Sequence, residues 1–198
     1  MDAAVLCSGG KDSALAALLL DDFFDVTLVT ATFGVTDDVQ HARATADALG
    51  FPFATLDLER EVAAEAVDRM IEDSFPRNGI QSVHEHAVEA AAADERWDAI
   101  ADGTRRDDRV PTIDRPLAQS VEDRFSVSYL APLAGIGRDA IDAMAEKRLR
   151  VETGPSERIA KSDYESELRV LLAEREGEAV VSEIFPDHTQ SRVTGRVD

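Results

Sequence analysis

Ala3-Ala4-Val5-Leu6-Cys7-Ser8-Gly9-Gly10-Lys11-Asp12-Ser13-Ala14-Leu15-Ala16-Ala17-Leu18-Leu19-Leu20 reads as a strand, a glycine turn and a helix in immediate succession. The apolar run through Cys7 fits a buried strand, and the alanine- and leucine-rich run from Ala14 fits a buried helix. Gly9 and Gly10 between them let the chain turn tightly and let bare backbone N–H groups approach a ligand, because no Cβ stands in the way. The helix that follows points its unpaired N–H groups and positive dipole end at the same place. Lys11 adds a mobile cation, and Ser8 and Ser13 add hydroxyls. The turn is therefore expected to hold an anion, a polyphosphate above all. An ordinary strand-to-helix turn is the alternative reading of a glycine pair.

Outward from this stretch, apolar and amphipathic segments alternate. Asp25 to Phe33 is rich in β-branched residues and reads as a second strand. A helix follows from the cap candidates Thr36, Asp37 and Asp38 to Leu49, where Gly50 stops it. Phe51 to Leu58 reads as a third strand and Glu59 to Phe75 as a helix closed by a Pro76-Arg77-Asn78-Gly79 turn. A further helix from Gln81 or Ser82 to Ala93, a fourth strand over Trp97 to Gly103, a fifth over Phe125 to Leu133 and a helix over Arg138 to Arg148 complete the pattern. Strands joined by helix-length crossovers imply a parallel sheet with helices on both faces, a doubly wound α/β fold. Ligands of such sheets bind beyond the carboxyl ends of the strands, where strand order reverses.

The last third breaks the alternation. Val151 to Ser156 is turn-rich, Asp163 to Glu174 reads as a helix, Glu178 to Ile184 as a short strand, and Phe185 to Asp198 lacks clear periodicity. Residues 1–150 are accordingly expected to form the binding core, and 151–198 an appendage that covers the site or pairs with another subunit in a homo-oligomer.

Composition sets the outer bounds. The 198 residues suit one α/β domain with an addition. No membrane span or secretion signal is evident, so a soluble, cytoplasmic protein without a membrane partner is expected. One cysteine excludes an internal disulfide and a paired-cysteine zinc knuckle, and leaves Cys7 as a buried thiol by default. Forty acidic residues against 21 basic ones set a net charge of −19. Only Lys11, Lys147 and Lys161 are lysines, a balance suited to a cytosol of molar salt, where a Debye length of about 3 Å screens self-repulsion. A melting temperature that rises steeply with KCl is the corresponding expectation. Net acidity ordinarily argues against a nucleic-acid partner, and less so under such adaptation.

A second constellation, Gly103-Thr104-Arg105-Arg106-Asp107-Asp108-Arg109, follows the fourth strand and should emerge beside the first. Guanidinium forks suit phosphate oxygens, and carboxylates suit a magnesium ion. A solvated charged loop is the alternative.

Two histidines, His84 and His86, stand at i and i+2 of a helix and point to different sides, which disfavours a shared zinc ion in favour of helix surface or substrate contact. Lys161, Tyr164 and Arg169 fall near helical spacing, and His188, Gln190, Ser191 and Arg192 form a polar group.

No G-x-x-x-x-G-K-[ST] motif can be laid over residues 8–13. Ser8-Gly9-Gly10-Lys11-Asp12-Ser13 instead resembles the Ser-Gly-Gly-x-Asp-Ser signature of the PP-loop superfamily of ATP pyrophosphatases, the adenine nucleotide alpha hydrolase-like proteins. Gly103-Thr104 with Asp107 and Asp108 resembles that family's second motif, and the whole chain looks like short archaeal, haloarchaeal members labelled asparagine-synthase-like. The resemblance implies a sheet of order 3-2-1-4-5 with the reversal beside Ser8 and Gly103. It implies cleavage of ATP between the α- and β-phosphates, with AMP and pyrophosphate as products of adenylating an acceptor.

In that picture Ser8, Gly9, Gly10, Lys11, Asp12, Ser13, Gly103, Thr104, Arg106 and Arg138 hold ATP, with Thr32 and Phe33 at the adenine. Lys11, Asp12, Arg105 and Asp107 serve catalysis, and Asp12, Asp107 or Asp108 binds Mg²⁺. The acceptor is open: an amide-forming ligase and a tRNA-modifying enzyme both fit, with ammonia or sulfur supplied by a separate donor. The shortage of cysteines disfavours sulfur transfer by this chain alone. A non-catalytic ATP-binding module of the universal-stress type is the alternative, disfavoured by the acidic positions at Asp12, Asp107 and Asp108.

Overall fold

The computed structural model describes residues 1–155, 159, 162–186 and 189–197. Lys161 and His188, singled out above, lie outside the described residues. The main sheet has five parallel strands in the order β3-β2-β1-β4-β5. They are β1 (Asp2–Leu6), β2 (Asp25–Thr32), β3 (Phe53–Asp57), β4 (Ala99–Ala101) and β5 (Ser128–Leu130). This is the doubly wound order expected, with its reversal between β1 and β4.

The helices are α1 (Lys11–Leu20), α2 (Val39–Leu49), α3 (Arg60–Asp73), α4 (Arg77–Ala92), α5 (Arg115–Phe125), α6 (Arg138–Arg148), α7 (Tyr164–Glu176) and α8 (Glu178–Ile184). An antiparallel ribbon of β6 (Leu149–Pro155) and β7 (Thr189–Arg196) completes the chain.

Side chains of β1 alternate between two cores, as a strand buried on both faces requires. Val5 and Cys7 pack with α1, α6 and the ribbon through Leu15, Leu18, Ile141, Leu149 and Val193. Ala4 turns to the other face, against Val88 and Ala91 of α4 and Val121 of α5. A third core lies past the ends of β1 and β2, where Leu168 and Leu172 of α7 and Val181 and Ile184 of α8 meet α3 and α4.

Four local readings are corrected. The Pro76–Gly79 turn is the N-cap and first turn of α4. Gly79 fits there because α4 packs so closely on α3 that a Cβ would stand 2.6 Å from the Ala66 carbonyl oxygen. Glu178 to Ile184 is helical, its Val181 and Ile184 sharing one buried face. The turn-rich stretch from Val151 carries strand β6, and the aperiodic tail carries β7. β7 is held by its ladder to β6 and by one edge packed on α2, so only Val193 and Gly195 are buried and no apolar alternation develops.

Candidate functional site

Gly9 takes a left-handed conformation (φ 84°), and Gly10 occupies the N-cap of α1 without a side chain to cap it. The first turn of α1 thus keeps orphan N–H donors for an outside partner. One of them, Lys11 N, donates to Ser191 Oγ of β7 at 3.2 Å. The loop is clamped further from the C-terminal segment: Val193 N donates to Gly9 O at 2.9 Å and Ser162 N to Ser8 O at 3.1 Å. Gly103 abuts the same helical turn, and a Cβ on it would stand 2.5 Å from Ser13 N.

A cavity of about 920 Å³ opens over this junction. It brings together Ser8, Gly10, Lys11, Asp12 and Ser13 from the loop, and Gly103, Thr104, Arg105 and Asp108 from the second constellation. Arg138 lines it too, at the start of α6. The charged groups form a closed network. Lys11 Nζ contacts Asp12 at 2.6 Å and Asp142 at 2.9 Å, and Arg105 contacts Asp12 at 3.3 Å and Asp108 at 2.5 Å. The Lys11 hydrogen bond holds the Asp142 carboxyl below the usual carboxylate range. Arg105 Nε also donates to Asp108 Oδ1 at 3.0 Å, so that carboxylate is gripped by a two-pronged fork.

Of the residues expected to hold ATP or serve catalysis, Gly9 lies between the lining residues Ser8 and Gly10, and Arg106, Asp107, Thr32 and Phe33 stand away from the lining. Asp107 accepts from Arg138 N at 2.9 Å, which holds its carboxyl below the usual range, and pairs with Arg106 at 3.2 Å. Both face outward at the start of α6. Thr32 and Phe33 are turned onto a buried carboxylate, Glu167 of α7. Glu167 accepts from Thr32 Oγ1 at 2.9 Å and from Phe33 N and Val35 N at 2.8 Å each. The β2 residue that does reach the cavity is Ala31.

Cys7 is buried beneath the loop, where its sulfur accepts from Gly9 N at 3.3 Å and from the Ser13 hydroxyl at 3.4 Å. Burial pushes its thiol pKa up, which suits a structural role and not a nucleophile.

Sequence reading missed a chain of buried polar groups at the far wall. His84 Nε2 lies 2.9 Å from Asp102, and His84 Nδ1 lies 2.9 Å from the Tyr164 hydroxyl. The Tyr129 hydroxyl donates to Asp102 at 2.7 Å. Burial alone would raise the Asp102 pKa, but hydrogen bonds from His84 and Thr104 overcome it and hold the carboxyl below its usual range. Burial and the Asp102 charge push the Tyr129 hydroxyl far above its own. A signal for His84 was available: it falls in the apolar stripe Ile80, His84, Ala87, Val88 and Ala91 of α4. His86 points elsewhere, to Glu59 at 2.8 Å.

Among the described residues no cluster of three or more His, Cys, Asp or Glu side chains is arranged to hold a metal ion. None of their helices is long and apolar enough to cross a membrane.

A parallel sheet of order 3-2-1-4-5 with a Ser-Gly-Gly-Lys-Asp-Ser loop at its reversal point defines the class, an α/β protein of the PP-loop type. Within it, the model described as "Family of unknown function (DUF7411)" matches residues 1–195, and the chain belongs to that family. It is 40% identical over 196 residues to Uncharacterized protein MJ0690 of Methanocaldococcus jannaschii, covering 98% of this chain and 96% of that one. A crystal structure described as a predicted subunit of tRNA methyltransferase, from the same organism, matches with a TM-score of 0.92 at 39% identity over 100% of this chain and 98% of that chain.

More distantly, the tRNA-specific 2-thiouridylase MnmA of Treponema denticola is 37% identical over 83 residues, 37% of this chain and 23% of that protein. The U34-tRNA thiolase NcsA of Methanococcus maripaludis, solved with its 4Fe-4S cluster, shares the fold at a TM-score of 0.54 and 19% identity, over 74% of this chain and 56% of that chain.

Proposed function

We propose that this protein binds ATP at the Gly9–Gly10 loop and cleaves it between the α- and β-phosphates, transferring AMP to an acceptor. The observation that carries the reading is the convergence, at one strand-order reversal, of an uncapped helix N-terminus with Lys11, Arg105 and Arg138. Backbone N–H groups and three cations in one cavity suit a polyphosphate, and the attack on phosphorus draws on positioning and charge stabilisation. An acceptor heteroatom bonds to the α-phosphorus as the bond to the bridging oxygen breaks. Pyrophosphate leaves with that electron pair, AMP stays on the acceptor, and a second nucleophile such as ammonia or an amine then displaces it as free AMP. Lys11 and Arg105 are placed to neutralise the pyrophosphate, exchanging their present carboxylate partners for phosphate oxygens.

Asp12 is the carboxylate that suits a magnesium ion best. It lines the cradle, and its partners there, Lys11 at 2.6 Å and Arg105 at 3.3 Å, are the cations that phosphate oxygens would draw away, whereas Asp108 is held by the Arg105 fork and Asp107 by Arg138 N. A one-carboxylate site fits the habit of Mg²⁺, which takes one or two protein oxygens together with substrate phosphates. When bound, the ion would add charge neutralisation at the phosphates.

tRNA is the acceptor favoured by the descriptions of the relatives, three of which name it. A cluster-dependent thiolation is disfavoured, because iron–sulfur clusters are held by several thiolates and this sequence carries Cys7 alone.

The test is AMP and pyrophosphate release from ATP in high KCl with Mg²⁺, using bulk tRNA, ammonia and simple amines as acceptor probes. Acceptor-dependent pyrophosphate, abolished by Asp12→Ala, is the expected result, with free AMP where a second nucleophile displaces it. ATP binding with no pyrophosphate from any acceptor would overturn catalysis in favour of a nucleotide-binding module.

A further inference from the structure

Holding a polyphosphate calls on neither His84, Asp102 nor Tyr164, yet all three line the same cavity. His84 is 4% exposed and Asp102 2%. The Asp102 carboxylate is fully engaged: Oδ1 accepts from Thr104 N at 2.9 Å and Thr104 Oγ1 at 2.7 Å, and Oδ2 accepts from Tyr129 and His84. An ionised carboxylate at Nε2 sets the tautomer of a neutral imidazole, so Nε2 carries the proton and Nδ1 presents a lone pair. The Tyr164 hydroxyl donates to that lone pair, leaving its oxygen with acceptor capacity of its own. Asp102 directly precedes Gly103, whose backbone abuts Asp12 and Ser13, so the series starts one residue from the phosphate end of the cavity.

We propose that Tyr164, His84 and Asp102 form a proton relay that takes the proton of the acceptor's N–H or O–H group as it attacks the α-phosphorus. The assignment rests on the adenylation reading above. As the acceptor heteroatom bonds to phosphorus, its proton passes to Tyr164 Oη while the Tyr164 proton passes to His84 Nδ1. The resulting imidazolium stands against the Asp102 carboxylate, and the electron pair of the broken P–O bond leaves on pyrophosphate. Burial raises the Tyr164 hydroxyl pKa well above its usual value, so the phenol gives up a proton only as it receives one. Tyr164 is then the catalytic residue, and His84 and Asp102 are positioning residues. A tie between α7 and α4 alone would need only a hydrogen bond, with no buried carboxylate behind the imidazole.

The experiment measures kcat and KM for ATP by pyrophosphate release with bulk tRNA and the amine probes, alongside melting temperature. Tyr164→Phe keeps the ring and removes the hydroxyl; His84→Gln keeps an N–H donor for Asp102 and removes the base, and carries the same test if Tyr164→Phe does not fold. Both variants should lose about 10²- to 10⁴-fold in kcat with KM for ATP within about threefold of wild type, and melting temperature should fall by no more than the few degrees that one broken buried hydrogen bond accounts for. A wild-type kcat in Tyr164→Phe overturns the relay and leaves adenylation standing. A lowered melting temperature with kcat retained makes Tyr164 a structural tie, which overturns it equally. No pyrophosphate from the wild type with any probe overturns the adenylation reading and the relay with it.

Discussion

Replacing Glu167 by Gln tests whether α7 is anchored to the end of β2 by a charge. Glu167 is 3% exposed. One carboxylate oxygen takes the Thr32 hydroxyl at 2.9 Å and Val35 N at 2.8 Å, and the other takes Phe33 N at 2.8 Å. Glutamine has a single acceptor oxygen. Its best placement keeps Thr32 and Val35 as neutral bonds and turns the NH₂ group against the Phe33 N–H. One charge-assisted bond is lost, at about 1.5–3 kcal/mol, and a buried donor is orphaned, at about 1–3 kcal/mol. Relief from burying a charge offsets part of this. A net loss of about 3 kcal/mol corresponds to a melting-temperature fall of about 6–12 °C for a chain of this size. Thermal unfolding in high KCl reads the total, and hydrogen exchange at the Phe33 and Val35 amides reads its location, with protection falling first at Phe33. A Glu167→Gln protein melting within about 2 °C of wild type would refute the reasoning, since a charged acceptor would then contribute no more than an amide.

Gly103→Ala should cost about 1–3 kcal/mol from overpacking, because its Cβ meets backbone atoms of Asp12 and Ser13 that cannot rotate away. ATP titration should show affinity falling with stability, and a variant that melts and binds as wild type would contradict the close approach. Asp102 has its folded pKa held below the unfolded value of about 3.9. Its stabilisation is therefore complete above that pH and is lost as pH falls through the folded value. Below about pH 4 the wild type should lose melting temperature more steeply than Asp102→Asn, and parallel curves there would sink the argument.

The main sheet was legible because its determinants are local. The β-branched run of Asp25 to Phe33 and the glycine pair after Cys7 each declare themselves within a few residues. Strand order was not local, and it entered through the resemblance carried by residues 8–13. What the sequence hid are side chains whose partners lie far along the chain. Glu167 reads as one more acidic residue of a helix until the Phe33 and Val35 amides, more than a hundred positions away, are brought to it. His84 reads as helix surface until Asp102 and Tyr164 close on it. β7 carries no strand signature because its register is set by β6 and its burial by α2. The loop itself was readable; its clamp at Ser191 and Val193 was not.

That clamp bears on the order in which the molecule matures. Lys11 N meets Ser191 Oγ across 180 residues of sequence, and Gly9 O meets Val193 N beside it. Contacts of such separation carry a greater chain-closure entropy than local ones, and β7 follows every strand of the main sheet in the sequence. A nascent chain can complete its parallel sheet with the cradle still loosely defined, and the cradle takes its final shape only when the ribbon docks. A ligand of the cradle therefore favours finished molecules over partly folded ones, drawing the last docking step forward by mass action.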